Sequence, residues 1–486
     1  ARDVLQLGAL GALSLALRLP FLPAYDEDLD TLRFRLAIER FSVAEVRPHA
    51  PFYPLYLGIA KLFALLGASP RLALGLVCAL TGAALVVFTT LLAFEIAGRR
   101  VAIVTAILAL ASPFLWLAAD KLGSDTPGAA FIVAALWLLA RARRLPPRAP
   151  SLRTAAIIVL GLSLGVRLSC FPYAIACTLI VARSEGATRA WLARARDLGA
   201  GIAIWLAPLI LLAGARPLVA ATLTQGLGHF GRWGGSALTV SSPSARLGGL
   251  ASGLWPNLLA GPWPDAPAYR WPLAPILLVL LGAAIASIRP VFEACKRQPE
   301  LAISMLAYFV WVMLGQNIAS KPRHLLPLLP LLIIALAAGA DALVQRARAA
   351  IALPALLAAI WAIDGTRLVS AHREPSPVAA AARFLAERTG RDARPVIAGD
   401  AARLYTEGAP GRTIRWAPDE AALIEAVLAA GPEGALISSE ALTAEARRAL
   451  ESRGFSLSIA FQRPRDRYVD SLWSELGLVE ARPALR

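Results

Sequence analysis

The chain is read as an α-helical polytopic membrane protein of about eleven spans with a small C-terminal α/β domain outside the membrane. Two observations predict this. Hydrophobic residues make up 57% of the 486 and charged residues only 17%, gathered into apolar runs near the length that crosses ~30 Å of hydrocarbon. The last hundred or so residues lose that character and alternate short apolar strands with amphipathic helices. The runs are rich in Leu, Ala, Val and Ile without strict alternation, which favours helices over the strands of an outer-membrane barrel.

The net charge of +16 resembles a nucleic-acid signal until the arginines are located. They cluster between spans: Arg99 and Arg100; Arg141, Arg143, Arg144, Arg148 and Arg153; Arg183, Arg189, Arg194 and Arg196; Arg289, Lys296 and Arg297; Arg346 and Arg348. Such clusters mark cytoplasmic loops, where positive charge is retained. With these loops inside, spans near 4–22, 72–97, 101–118, 126–140, 154–168, 170–182, 199–214, 271–288, 301–318, 325–344 and 350–364 alternate without contradiction. The first run has no small-residue cleavage site and reads as a retained span. A membrane unit over 1–370 follows, with external loops 23–71 and 215–270 and an external domain over 371–486.

Along the chain, the first external loop opens with AYDEDLD at 24–30, four carboxylates in five residues. Asp28 or Asp30 suits a cap on the helix that follows. The apolar stretch 51–67 lacks basic flanks and is assigned to an interfacial or partly embedded helix of the first external loop. Asp120 and Lys121 are expected to pair at the interface. The two short spans that meet at Arg167 and Ser169 read as a hairpin, because an arginine within hydrocarbon needs an aqueous cavity. The loop 215–270 carries His229, Arg232, Trp233, Trp255, Trp263, Tyr269 and Trp271 among glycines and prolines. Part of this is an interfacial aromatic belt, and the rest suits a lid that stacks on sugar rings, with Trp233 as a substrate contact. Cys78, Cys170 and Cys177 in spans and Cys295 in a cytoplasmic loop show no CxxC spacing and read as buried hydrophobes. In the last domain, strands are placed at 395–399, 413–416, 435–438 and 455–461, and helices at 419–430 and 443–453. No GxGxxG, GxxxxGK[ST] or HExxH occurs there, which leaves it a lid or docking role.

Four motifs then carry a resemblance. The acidic pair at Asp26 and Glu27 continues into RPHAPFYPLYLGIAKLF at 47–63; SDTPGAAFIVAALWLL stands at 124–139, GLSLGVRLSCFPYAI at 161–175 and KPRHLLPLLPLLIIALAAG at 321–339. In this order they resemble the GT-C superfamily of polytopic glycosyltransferases. That superfamily has an acidic pair in its first external loop and then His-Pro-Pro-Leu-Tyr, Ser-Asp/Glu-Pro, Gly-Leu-x-x-Gly-x-x-x-Arg/Lys-Pro and Arg-Tyr-Leu-Leu-Pro segments. Ala50 and Leu168 stand where proline is usual, and His324 where tyrosine is.

The resemblance implies transfer of a sugar, with inversion, from a polyprenyl-phosphate carrier to an acceptor glycan, lipid or protein at the external membrane face. Such chemistry needs a carboxylate to take the acceptor proton, cations to hold the departing phosphate, and a water-poor cavity. By position Asp26 is the general base, with Glu27 as runner-up. Arg167, Lys321 and Arg323 suit the phosphate, followed by Arg47 and His49, since guanidinium forks match phosphate oxygens. Snorkelling at a span end is the alternative for Lys321 and Arg323. Asp125 suits either an active-site acid or a helix cap, and His324 a substrate contact. Four histidines without ligand spacing require no metal, although a divalent ion on Asp26 and Glu27 is compatible with the superfamily. Asp26 and Arg167 are expected to line one cavity, with Lys321 or Arg323 within a side chain's reach.

Two other classes fit a polytopic chain. A lipid-linked-sugar flippase usually has an internal repeat with interrupted spans, and none is found in the sequence. A non-catalytic scaffold of envelope assembly would keep the fold without the reaction. High Ala, Arg and Leu usage suggests a GC-rich bacterium, hence an inner-membrane protein whose external side is periplasmic.

Overall fold

A computed structural model describes residues 2–239, 242–286, 298–318, 320–470 and 472–484. Cys295 and the basic group Arg289, Lys296 and Arg297 lie outside the described residues. The chain divides into two compact units, Ala1–Leu22 with Leu36–Val369, and Pro23–Arg35 with Ser370–Arg486. The acidic segment that follows the first helix is grouped with the second unit.

Among the described residues of the chain, eight helices are long and apolar enough to cross a membrane, nine if one bent pair counts as a single span. This is a multi-pass membrane protein. The difference from eleven lies in short elements. Phe171–Glu185 has 15 residues and Pro299–Gly315 has 17, below the length expected of an untilted span. The expected span 101–118 is broken into Arg99–Ala111 and Pro113–Asp120, bent by 53°. Pro113 supplies no backbone donor and restricts Ser112, whose hydroxyl caps the new helix at Leu115 N, 3.4 Å away.

The helix Pro70–Ala97 starts on a Ser69 cap with Pro70 in its first position and stops at Gly98, whose φ of 86° suits glycine. At ~1.5 Å per residue its 28 residues exceed the hydrocarbon thickness. Helices Ala149–Val166 and Thr188–Ala213 pack backbone to backbone. A Cβ on Gly161 would lie 2.5 Å from the Leu198 carbonyl oxygen, and one on Gly201 2.3 Å from that of Ile158. Trp205 then donates its indole N–H to Gly161 O at 2.9 Å.

Ion pairs join helix ends that the arginine pattern assigns to one side. Glu95 is held by Arg141 at 2.9 Å and Arg144 at 3.4 Å, and Glu300 by the Arg143 fork at 2.6 Å. Both carboxylates are buried, so their partners compensate a desolvation that would otherwise cost several kcal/mol.

The second unit holds a five-stranded mixed sheet of order β2-β1-β3-β5-β4, with β1 Val396–Ala398, β2 Ile414–Trp416, β3 Ala435–Ser438, β4 Phe455–Gln462 and β5 Gly477–Pro483. β1 pairs in parallel with β2 and β3, and β5 runs antiparallel to β3 and β4. The central strands β1 and β3 are wholly buried, as continuous apolar runs should be in a covered sheet. Helices Glu420–Leu428 and Ala444–Ser452 start on Asp419 and Thr443, whose side chains accept from Ala422 N at 2.9 Å and Ala446 N at 3.0 Å. The sequence reading lacked β5 and the helices Pro377–Ala386 and Ala402–Gly408. GLVEARP carries two charges and a proline, and it becomes a strand only because two neighbours satisfy its backbone on both edges.

Candidate active site

In the membrane unit the hairpin forms around Arg167. Helix Ala149–Val166 ends, Arg167 takes extended geometry (φ −153°, ψ 108°), and a short 3-10 turn leads into Phe171–Glu185. Arg167 is 8% exposed, and its guanidinium gathers groups from two other elements. Nη1 donates to Ser124 Oγ at 3.1 Å, and Nη2 lies 2.8 Å from Asp125 Oδ1 and 3.3 Å from His324 Nδ1. Asp125 opens the helix Asp125–Arg144, and its second oxygen is 3.7 Å from Arg323 Nε. His324 and Arg323 belong to the 3-10 segment Pro322–Leu328 ahead of the span Leu329–Arg346.

The Asp125 side chain therefore lies between two guanidiniums. Ser124 occupies the N-cap position without a side-chain capping bond, and its hydroxyl receives Arg167. Two arginines around one carboxylate leave a local excess of positive charge, which Lys321 augments through its field on His324. That excess suits an anion of the phosphate class.

Arg47 and His49 sit in the segment that leads into Pro54–Leu65. Arg47 Nε pairs with Glu45 at 3.1 Å, and His49 Nε2 meets Tyr53 Oη at 2.9 Å. Phe52 and Tyr53 both have left-handed backbones (φ 71° and 48°), a costly geometry for non-glycine residues that recurs at functional sites. Tyr53 is close enough to act electrostatically on Arg167, and this extends the cluster towards His49. Sequence reasoning missed Tyr53 and the Arg167 contact of Ser124. The signals present were the tyrosine within FYPLY and a hydroxyl that also reads as a cap.

Asp120 differs from its expected pairing with Lys121. It is fully buried, acted on by the equally buried Arg18, and both its carboxylate oxygens lack a hydrogen-bond partner among the described residues. The opposite charge of the buried Arg18 is what acts on the carboxylate there, in place of Lys121. The loop 215–270 contains helices Ala215–Gly228 and Pro243–Ser252. It is tied down by Arg246, which donates to Val312 O and Gln316 O, and by Arg270, which pairs with Asp364 at 2.5 Å. Trp233 closes the π-helical turn His229–Trp233; its side chain lies outside the described residues.

In the second unit the acidic segment is ordered by specific partners. Asp26 is 9% exposed and its Oδ2 accepts from Arg35 Nε at 2.9 Å. Glu27 Oε2 is 3.1 Å from Nε2 of the buried His372. Asp28 accepts from Thr31 N at 2.8 Å while Thr31 Oγ1 accepts from Asp28 N at 3.1 Å, a reciprocal cap on the helix Leu29–Glu39. Tyr25 meets the His372 carbonyl oxygen and Arg465 Nη2, the latter at 2.6 Å.

No protein-family model matches the sequence, and no curated protein matches it. Solved structures do. ArnT from Cupriavidus metallidurans in the apo state superposes with a TM-score of 0.53 at 14% identity, over 99% of this chain and 98% of that one. The chain has the GT-C fold. The same GT-C protein bound to undecaprenyl phosphate matches with a TM-score of 0.52 at 14% identity, over 98% of this chain and 97% of its own. The Archaeoglobus fulgidus oligosaccharyltransferase in complex with Zn and sulfate, a third structure with the GT-C fold, matches at 0.51 with 14% identity, over 98% and 73%.

Proposed function

We propose that the chain is an inverting glycosyltransferase that moves a hexosyl or pentosyl unit from a polyprenyl-phosphate donor to an acceptor hydroxyl at the external face of a bacterial inner membrane. The observation that carries this reading is the cation cluster around Asp125, with Arg167 buried at its centre, set in a fold shared end to end with an undecaprenyl phosphate-binding transferase.

In the proposed reaction Asp26 takes the proton of the acceptor hydroxyl as its oxygen attacks the anomeric carbon. The bond from that carbon to the phosphate oxygen breaks, and the lipid phosphate leaves with the electron pair. Arg35 orients the Asp26 carboxylate, and Glu27 is the second choice of base. Arg167, Arg323 and Lys321 offset the charge that develops on the leaving phosphate, a role in which one buried donor is worth about 3 kcal/mol. Arg47, His49, Asp125 and Trp233 complete the proposed substrate contacts, and the acceptor is a glycan, a lipid or a protein.

The proposed transfer requires no divalent ion, and Asp26 and Glu27 are the acids that would hold one. Asp26 faces Arg35, Glu27 faces His372, and among the described residues no group of three or more His, Cys, Asp or Glu gathers to hold a metal. No step of the proposed transfer passes through one.

The test is incubation of the purified protein with a panel of polyprenyl-phosphate sugars, scored by release of lipid phosphate. Asp26→Asn should lower turnover by about a hundredfold or more while leaving lipid binding intact. Unchanged turnover in Asp26→Asn would remove the base, and no release from any donor would favour the flippase or scaffold.

A further inference from the structure

Resting on the transferase reading, we infer that His324 is a positioning residue: through Nδ1 it holds the Arg167 guanidinium in place for the leaving phosphate instead of touching substrate itself.

A guanidinium has five N–H groups and no acceptor, so a ring nitrogen 3.3 Å from Nη2 must accept. The imidazole proton then rides on Nε2. Nη1 donates to Ser124 Oγ and Nη2 to His324 Nδ1, while Asp125 Oδ1 holds Nη2 as an ion-pair contact at 2.8 Å. The other N–H groups of the fork are the ones that would meet phosphate oxygens.

The carboxylate by itself would leave the fork to swing about one strong contact, since Asp125 is also drawn by Arg323. His324 supplies the second fixed point because its own backbone is held. Tyr308 Oη donates to the His324 carbonyl at 2.9 Å, and the Tyr308 ring lies 5.0 Å from that of Tyr173. Tyr173 Oη in turn donates to Pro327 O at 3.3 Å. Two tyrosines, from Pro299–Gly315 and Phe171–Glu185, thus brace the turn that presents the imidazole. Preorganisation of this kind matters for catalysis, because a displaced donor loses most of its value at the moment charge develops.

Paired amide substitutions separate the two ends of the ring. Asparagine places an acceptor near the Nδ1 position, and glutamine reaches towards Nε2. Turnover, KM for the donor and affinity for undecaprenyl phosphate are to be measured for the full-length wild type and for Arg167→Ala, His324→Ala, His324→Asn, His324→Gln and Arg167→Ala/His324→Ala. Thermal unfolding and size-exclusion profiles confirm that each variant is folded.

The expected result is a loss in kcat of about tenfold for His324→Ala and His324→Gln with KM moved less than about threefold, and recovery to within about threefold of wild type in His324→Asn. Adding His324→Ala to Arg167→Ala should cost nothing more. Rescue by glutamine and not asparagine, or additive losses in the double variant, would overturn the positioning role. If Arg167→Ala leaves both lipid-phosphate affinity and turnover unchanged, or the wild type shows neither, the transferase reading fails as well. An effect of Arg167→Ala without one of His324→Ala sinks this inference alone.

Discussion

At the scale of single residues, what a charge does here depends on which partners the fold supplies. Arg18 and Arg167 are both buried near the ends of apolar helices, yet one faces Asp120 at longer range and the other sits 2.8 Å from Asp125 beside further cations. Asp392, in the second unit, gives a pH-dependent case. The Arg394 fork bonds both its carboxylate oxygens at 2.9 Å and pulls its pKa down to about 2, with Arg412 adding to the effect. The folded state therefore binds a proton less readily than the unfolded chain, whose aspartates titrate near ~3.9. The pair's contribution, about 1 kcal/mol after solvent screening, is present above that range and lost as the pH falls towards 2. Asp392→Asn should accelerate amide hydrogen exchange in β1 of the full-length protein at pH 6, and the difference from wild type should close near pH 2.

At the scale of elements, close backbone approach is the sharpest constraint. The helices Ala149–Val166 and Thr188–Ala213 touch through Gly161 and Gly201, and the first of these leads straight into Arg167. Gly161→Leu has no space to enter, because its first side-chain carbon would collide with the Leu198 carbonyl oxygen at 2.5 Å. Overpacking of this order costs ~1–3 kcal/mol, and here it also displaces the hairpin. The expected outcome is a lower unfolding temperature in detergent together with weaker binding of lipid phosphate. Gly199→Leu, whose Cβ meets nothing within 4 Å, is the control and should unfold like wild type.

At the scale of the whole molecule, topology is the claim to test. Under the proposed topology the clusters from Arg141 to Arg153 and from Arg183 to Arg196 lie in cytoplasmic loops and the C-terminal unit lies outside. In a Cys295→Ser background the remaining cysteines, Cys78, Cys170 and Cys177, are buried. A membrane-impermeant maleimide added to intact cells should then label Glu425→Cys and leave Arg148→Cys untouched until the membrane is opened. The reverse pattern would invert the protein and place the proposed chemistry on the wrong face.

The sequence by itself determined what depends on local composition and period. Apolar length reveals spans, and an alternating tail with Asp419 and Thr443 as caps reveals helices between strands. The GT-C likeness was legible because its motifs sit at element boundaries, where residue type is restricted. Tertiary structure decided whatever depends on a partner distant in the chain. β5 exists because β3 and β4 flank it, Asp120 turns inward, and Asp125 meets Arg167 and Arg323 from elements more than forty and nearly two hundred residues away. A lone serine, aspartate or histidine has several uses of similar energy, and the neighbours brought by folding select among them.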